Sequence, residues 1–489
     1  MTERRHRSVR RILAAVLALA APGWAAAQGP DTLRLSLAQA VDLALERSEE
    51  IATARARVSQ ADARVTQATA AALPQVSTAV TYNRTLRSIF EALAEFEGAD
   101  TSSIPSAFDA ARPPRERYDT LSSLLMADFM AGLASGLPFG RPNTYVSVLQ
   151  VSQPLFTGGR ITGARTAARH FHSATEHQLD ETEADVVLQV RVAYLSAVLA
   201  RRLQAIAAES RRIAAEHVRQ VEWFCEAGTA SQFDLLRARV DLENREPAVV
   251  QAENLARVAL LDLKRLVNLP TEAPVALTST FEPESVAVDE ATIAGLMHDR
   301  PLLLAAREMV AVRRAGLRTA QGEWFPSIAV QANLGFQAYP PGVAPPGFSE
   351  WRRDWSVALA LSWQPFDGFG RSGRIDEAQA LLREATSQQA LVEEGLRVEL
   401  SRAMGDYRTA LAQHRARRET VRLAEETQAL ADLRYRNGLA TQLEVSDAAL
   451  LLDQARVNEV QALADYVRAL AQLERLTGGR LTLLREKQP

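Results

Sequence analysis

Trp355-Ser356-Val357-Ala358-Leu359-Ala360-Leu361-Ser362-Trp363 alternates, residue by residue, between large apolar and small side chains. A period of two puts successive side chains on opposite sides of a strand. Trp355, Val357, Leu359, Leu361 and Trp363 therefore make one greasy face, and Ser356, Ala358, Ala360, Ser362 and Gln364 make a small, wet one. The two tryptophans stand eight positions apart, roughly 26 Å at about 3.3 Å per residue. With barrel tilt, that is the spacing of two aromatic belts across a hydrocarbon layer.

Three more stretches carry the same pattern. Ile328, Val330, Ala332, Leu334 and Phe336 alternate with Ala329, Gln331, Asn333, Gly335 and Gln337. Val76, Val80 and Tyr82 alternate with Gln75, Ser77, Thr81 and Asn83; Tyr145, Leu149 and Val151 make a less clean set. Each run has the length a tilted strand needs to cross a bilayer. A soluble sheet on a core would also alternate, but the small polar face fits a water-filled lumen better. Trp355, Trp363, Tyr82 and Tyr145 are the expected belt aromatics. Four strands cannot close a barrel, and lipid does not tolerate open sheet edges. The edges must meet other copies: three would give about twelve strands and a lumen, and two or four are also allowed.

The chain is written twice. Ala72-Leu73-Pro74-Gln75-Val76 answers Trp324-Phe325-Pro326-Ser327-Ile328, and Gln153-Pro154-Leu155-Phe156 answers Gln364-Pro365-Phe366-Asp367. Ala227-Gly228-Thr229-Ala230-Ser231-Gln232-Phe233-Asp234 answers Asn437-Gly438-Leu439-Ala440-Thr441-Gln442-Leu443-Glu444, and Leu266-Val267-Asn268 answers Leu476-Thr477-Gly478. The order is the same in both halves. The expected organisation is a signal peptide over 1–27, then a first repeat with its connector over 28–290. Its strands lie at about 73–84 and 143–156, with a loop insertion at 84–142 and a tip at 225–234. A second repeat over 291–489 has strands at about 326–338 and 353–366 and a tip at 435–447. The connector from Leu269 to Asp299, with Pro270, Pro274 and Pro283, reads as having little regular structure. Within the insertion, Phe90–Phe96 reads as a short helix.

Between Pro154 and Pro247, and from Pro365 to Pro489, there is no proline, and the composition favours helix. Leu396, Leu400, Ala403, Tyr407 and Ala410 step 4-3-4-3, and Val460, Leu463, Val467 and Leu470 step 3-4-3, the spacing of coiled-coil packing. A helix from Gly159 to Ala227 would run roughly 100 Å, too long for a compact domain. Gly228 and Gly438 suit helix C-termini, and Ser231-x-x-Asp234 and Thr441-x-x-Glu444 suit capping boxes. Pro247 is expected to kink or interrupt the first returning helix.

The N-terminus, with Arg4, Arg5, Arg7, Arg10 and Arg11 before the short apolar run Ile12–Ala21 and then Ala25-Ala26-Ala27, reads as a secretory signal. The lone thiol, Cys225, lies far from that cleavage site, so neither lipidation there nor an internal disulfide is expected. The formal charge is −3, and removal of residues 1–27, with five arginines and Glu3, leaves −7. That balance gives no reason to expect nucleic acid. No later run is apolar enough for a transmembrane helix.

Leu35-Ser36-Leu37-Ala38-Gln39-Ala40, Ala72-Leu73-Pro74, Gln153-Pro154-Leu155-Phe156 with Gly158-Gly159, and Tyr435-Arg436-Asn437-Gly438-Leu439-Ala440-Thr441-Gln442-Leu443-Glu444-Val445 together resemble the TolC-like outer-membrane efflux family. The resemblance covers nearly all of the chain after the signal. It implies a mostly α protein with membrane β: a homotrimer whose twelve-stranded barrel is continued by an α-helical barrel. It also implies an outer-membrane exit duct for efflux or type I secretion. The expected partners are outer-membrane lipid, a periplasmic adaptor and an inner-membrane RND, ABC or MFS transporter. By the same resemblance, Tyr435, Glu444, Asp447 and Asp234 match gate positions at the pore entrance. Where the family often carries an arginine two positions after the tip glycine, Ala440 stands, so the usual gate salt bridge lacks that partner. The tip turns at Gly228, Thr229, Gly438 and Leu439 are the expected adaptor contacts. With three-fold symmetry, Glu444 and Asp447 would form acidic rings favouring cations.

His170, His172 and His177, with Glu176, are a weak metal candidate beside a solvated or lumen-facing reading. No nucleophile–base pair, phosphate loop or metal-ligand spacing stands out, so neither an enzyme nor a cofactor is expected. A periplasmic coiled-coil scaffold or stalk is the alternative; it accounts for the helices and leaves the four alternating strands unexplained.

Overall fold

A computed structural model describes residues 33–87, 111–136, 142–279, 289–340 and 342–478. The expected signal peptide and the Phe90–Phe96 segment lie outside them. The chain divides into two compact units: one holds the residues up to 55, 179–301 and those from 394, the other 56–178 and 302–393.

The second unit holds the sheet. Strands β2 (Gln75–Arg84), β3 (Asn143–Phe156), β5 (Ser327–Ala338) and β6 (Arg352–Ser362) lie in the order β2-β3-β5-β6, all neighbours antiparallel. The register sorts the side chains. Val76 opposes Val151, which opposes Ala332, which opposes Val357; Thr78, Leu149, Leu334 and Trp355 form the next row. Four separate alternating patterns thus fall on one face. Gln150, Asn333 and Ser356 make a row of the opposite face, where Val146 and Val148 are the apolar exceptions. Among the described residues nothing covers the outer strands of the greasy face: Val80 is 72% and Leu359 69% exposed.

Pro154, which has no N–H to give a ladder, sits at the register shift between Pro154 and Phe156. Gly158, just past the strand, has φ 65°, and a Cβ there would stand 2.2 Å from the Gly322 carbonyl oxygen. Only glycine fits so close an approach. The equivalent residue of the second repeat, Phe369, adopts φ 66° and is 77% exposed; no close backbone excludes its side chain.

The insertion after β2 is not loop throughout. Helix α3 (Pro114–Gly136) occupies part of it. The face of α3 that is shielded carries Arg117, Thr120, Leu124 and Ala127, while Tyr118, Leu125, Met126 and Phe129 are exposed. Helices α1 (Leu37–Arg47) and α2 (Glu49–Ala70) precede β2 in the chain.

The long helices are α4 (Arg160–Glu226) and α8 (Gly370–Arg436), 67 residues each, returning as α5 (Gln232–Leu266) and α9 (Gln442–Leu476), 35 residues each. Helix α5 runs through Pro247 without interruption, so of the expected kink or interruption the latter does not occur. A proline removes one ladder bond and crowds one turn, and the turns on either side hold. Among the described residues no helix is long and apolar enough to cross a membrane.

In the first unit, every residue of the two heptad sets on α8 and α9 is buried. A second core joins Leu35, Leu37, Ile51, Val190, Tyr194, Leu263 and Val275. The connector is more ordered than its prolines suggested. Val275–Leu277 forms β4, paired parallel with β1 (Leu33–Leu35), and Glu290–Met297 forms α6, capped by Asp289. The Tyr194 hydroxyl donates to the Leu35 carbonyl (2.8 Å) and accepts from the Ser279 N–H (3.0 Å), which ties the connector to α4.

Just before α7 (Pro301–Gln321) stands Arg300, 1% exposed. Its guanidinium donates to Glu181 (2.8 Å) and Glu399 (2.9 Å), and Arg475 reaches the same two carboxylates at 3.3 and 2.9 Å. One buried charge centre thus ties α4, α8 and α9 to the start of α7. Arg300→Met strands carboxylates that the fold has partly desolvated. It is expected to destabilise the protein by about 3 kcal/mol, the low end for a broken buried pair because Arg475 remains. A thermal midpoint equal to that of the unaltered protein would contradict this role.

Candidate functional site

Two helical hairpins end in matching turns. At the end of α4, the Thr229 N–H bonds the Phe224 carbonyl (2.8 Å) and the Gly228 N–H bonds that of Cys225 (3.0 Å), with φ 73° at Gly228. At the end of α8, the Leu439 N–H bonds the Arg434 carbonyl (2.8 Å) and the Gly438 N–H that of Tyr435 (2.9 Å), with φ 71° at Gly438. Both are paired terminal bonds closed by a left-handed glycine. Ser231 and Thr441 then start the returning helices with reciprocal bonds to Asp234 and Glu444. Hydrogen bonds from Ser231 hold the Asp234 carboxyl below the ordinary aspartate range.

Tyr435 links the hairpins. Its ring lies 5.7 Å from that of His217 and 5.9 Å from that of Phe224, both on α4. Burial, with the nearby charge of Asp234, pushes its phenol above the usual tyrosine value. Burial also depresses His217; Asp432 and Asp241 oppose that shift and Arg245 reinforces it. Cys225, the residue that answers Tyr435 in the first repeat, is a half-buried free thiol that donates to the Ser231 carbonyl at 3.2 Å. Glu444 pairs with Arg434 of its own hairpin at 3.7 Å. Asp447 is exposed.

A second tie was not legible in the sequence. Arg245 on α5 bonds Ser210 on α4 and forms an ion pair with Asp453 on α9, while Ser210 donates to Asp453 at 2.7 Å. The three residues come from different segments and share no local motif. Only packing brings them together.

On the sheet, Tyr82 and Tyr145 stand directly opposite each other with ring centres 4.8 Å apart, and Tyr145 lies 6.5 Å from Trp351. The hydroxyl of Tyr82 donates to Asn143 Oδ1 (2.8 Å) and that of Tyr145 to the Val343 carbonyl (2.6 Å). These three rings form one row beside the β2–β3 and β5–β6 connections. Trp355 is not in it: it opposes Leu334, four positions further into β6. Trp363 follows the end of β6, and its indole N–H donates to the Trp324 carbonyl at 3.3 Å. Trp351 was missed because it precedes the alternating stretch, although it shares the parity of Trp355.

The histidines do not converge. His170 pairs with Glu308 at 2.6 Å and His172 with Glu176 at 3.4 Å. Among the described residues no three His, Cys, Asp or Glu side chains form a group able to hold a metal.

CyaE of Bordetella pertussis is 29% identical over 198 residues, 40% of each chain. A protein named as the probable efflux pump outer membrane protein TtgC of Pseudomonas putida is 25% identical over 321 residues, 63% of this chain and 64% of its own. The chain thus spans less than two thirds of the length of these relatives. The solved outer membrane protein VceC of Vibrio cholerae shares the fold, with a TM-score of 0.70 at 18% identity, over 91% of this chain and 96% of that one. The description of the outer membrane efflux protein family matches residues 120–269 and 295–479, and the chain belongs to that family.

Proposed function

We propose that the chain is an outer-membrane exit duct of a tripartite efflux or type I secretion system, a passive homotrimeric channel and not an enzyme. One observation carries this reading: the register gathers four apolar strand faces on one side of an antiparallel sheet whose edges β2 and β6 have no partner among the described residues. In hydrocarbon every backbone N–H and C=O needs a partner, so those edges pair with other copies. Three copies make about twelve strands, enough for a water-filled lumen. The family, and the outer-membrane efflux role in TtgC's name, support the setting. Residues 1–27 serve as a cleaved export signal, and Cys225 is too far away to be lipidated there.

The hairpin ends are the pore entrance in this reading. Tyr435, Asp234, Glu444 and Asp447 form the gate, and the turns at Gly228, Thr229, Gly438 and Leu439 meet a periplasmic adaptor. That adaptor couples the duct to an inner-membrane transporter of the RND, ABC or MFS type. Tyr82, Tyr145, Trp355 and Trp363 meet the membrane boundaries.

Planar-bilayer recording of the purified protein tests the reading directly. Steady channels are expected, and their absence would remove it. Leu359→Arg places a charge on the lipid face and should sharply lower outer-membrane assembly, whereas Ala358→Arg points to the lumen and should assemble. Equal assembly of the two would reverse the faces. Glu444→Gln with Asp447→Asn should reduce cation selectivity in the same recordings; an unchanged reversal potential would separate these carboxylates from the conduction path.

His217 adds a pH dependence. Burial holds its folded value below the ordinary value of about 6.5, so the packed hairpins bind fewer protons than a loosened state. Packing is then fully favourable above about pH 6.5 and weakens as pH falls towards the depressed value. Channel opening should rise on acidification through that window, and His217→Phe should flatten the rise. The same slope in both proteins would clear His217 of the effect.

A further inference from the structure

The greasy face of the sheet carries two arginines. Arg84, the last residue of β2, has the parity of Tyr82, and Arg353 has the parity of Trp355 and opposes Phe336. They bracket the row of Tyr82, Tyr145 and Trp351, Arg84 from its outer side and Arg353 from its inner side. Both are exposed, and among the described residues neither makes an ion pair. A guanidinium facing lipid is costly deep in hydrocarbon and tolerated at headgroup level, which its long stem reaches by lying along apolar surface.

The tyrosine hydroxyls of the row are already committed to Asn143 and to the Val343 carbonyl. The rings offer an apolar shelf at the water boundary, and polar recognition falls to the arginines. A guanidinium presents paired N–H groups that match a phosphate. The two arginines sit on the first and fourth strands, about 14 Å apart across the sheet and four residues, about 13 Å, apart along it, so their backbones are roughly 19 Å apart and only their long stems bring the guanidinium groups closer. A small anion cannot meet both; a wide headgroup with two phosphates can.

We propose that this row and its flanking arginines form a binding surface for a membrane lipid whose headgroup carries phosphomonoesters, in the leaflet beside the β2–β3 and β5–β6 connections. The inference rests on the reading that the greasy face meets lipid. A phosphomonoester carries about −1.5 to −2 charges near neutral pH, so it pairs with guanidinium more strongly than a singly charged phosphodiester. The shelf holds the lipid body while the arginines hold its charge.

The test uses the full-length assembly in detergent, with diphosphoryl lipid A, its dephosphorylated form and phosphatidylglycerol as probes, and bound lipid read by native mass spectrometry. Diphosphoryl lipid A should bind at least tenfold more tightly than either other lipid. Arg84→Gln with Arg353→Gln should lose on the order of tenfold of that affinity or more, and Arg84→Lys with Arg353→Lys should recover part of it. Equal binding of the three lipids, or an undiminished preference in the glutamine variant, would overturn the proposal. Bilayer recording of the same preparation keeps the two readings apart. Channels without lipid preference defeat the lipid surface alone, and no channels at all defeat the duct on which it rests.

Discussion

A strand in hydrocarbon cannot leave its edge unpaired, and that constraint governs how the sheet of this protein must be completed. Among the described residues the sheet has four strands, and its two edges, β2 and β6, have no partner. One of its faces is mainly apolar, and on the outer strands its large side chains are exposed. In water such a surface would aggregate; in a bilayer it is a solvated face. Under the proposed reading the missing hydrogen bonds come from other copies, which makes assembly and membrane insertion parts of one problem.

The helical unit solves a different problem. Helices of 67 residues cannot be held by one compact core, so each is secured at intervals. The heptad sets of α8 and α9 supply apolar contact, and the Arg300 and Arg475 centre supplies charge pairing with Glu181 and Glu399. Nearer the tips, Tyr435 against His217 and Phe224, and Arg245 against Asp453, tie the hairpins together. These ties between hairpins are aromatic, half-buried or ionic; the apolar packing at the first tip is confined to a small cluster of Val218, Val221, Leu235 and Ala238. Contacts of that kind change with protonation and with a neighbour's charge more readily than packed leucines do.

The duplicated sequence shows where the two halves were free to diverge. Asn268 and Gly478 both close their helices in the left-handed region, at φ 52° and 63°; after Gly, Asn is among the residues that most readily adopt that conformation. Gly158 had to remain glycine beneath the Gly322 carbonyl, whereas its counterpart Phe369 faces open space. Cys225 and Tyr435 occupy equivalent turns, yet only the tyrosine is large enough to bridge to the other hairpin.

Features written in local periodicity were legible from residues alone. The alternation around Trp355–Trp363, the heptads of α8 and α9, and the capping boxes at Ser231 and Thr441 each depend on neighbours within one turn or one strand. Even there, local reasoning erred where a distant segment supplied the missing partner. The connector became β4 because Leu33–Leu35 was available to pair with it, while α5 stays helical through Pro247 and the insertion after β2 contains α3. The alternation of each strand was in the sequence, but that all four apolar sets share one face was decided by register. The Arg245–Ser210–Asp453 tie, the Arg300 centre and the row of Tyr82, Tyr145 and Trp351 belong to the tertiary structure alone. Their members are far apart in the chain, and no periodicity of 2 or 3.6 residues carries information over that distance.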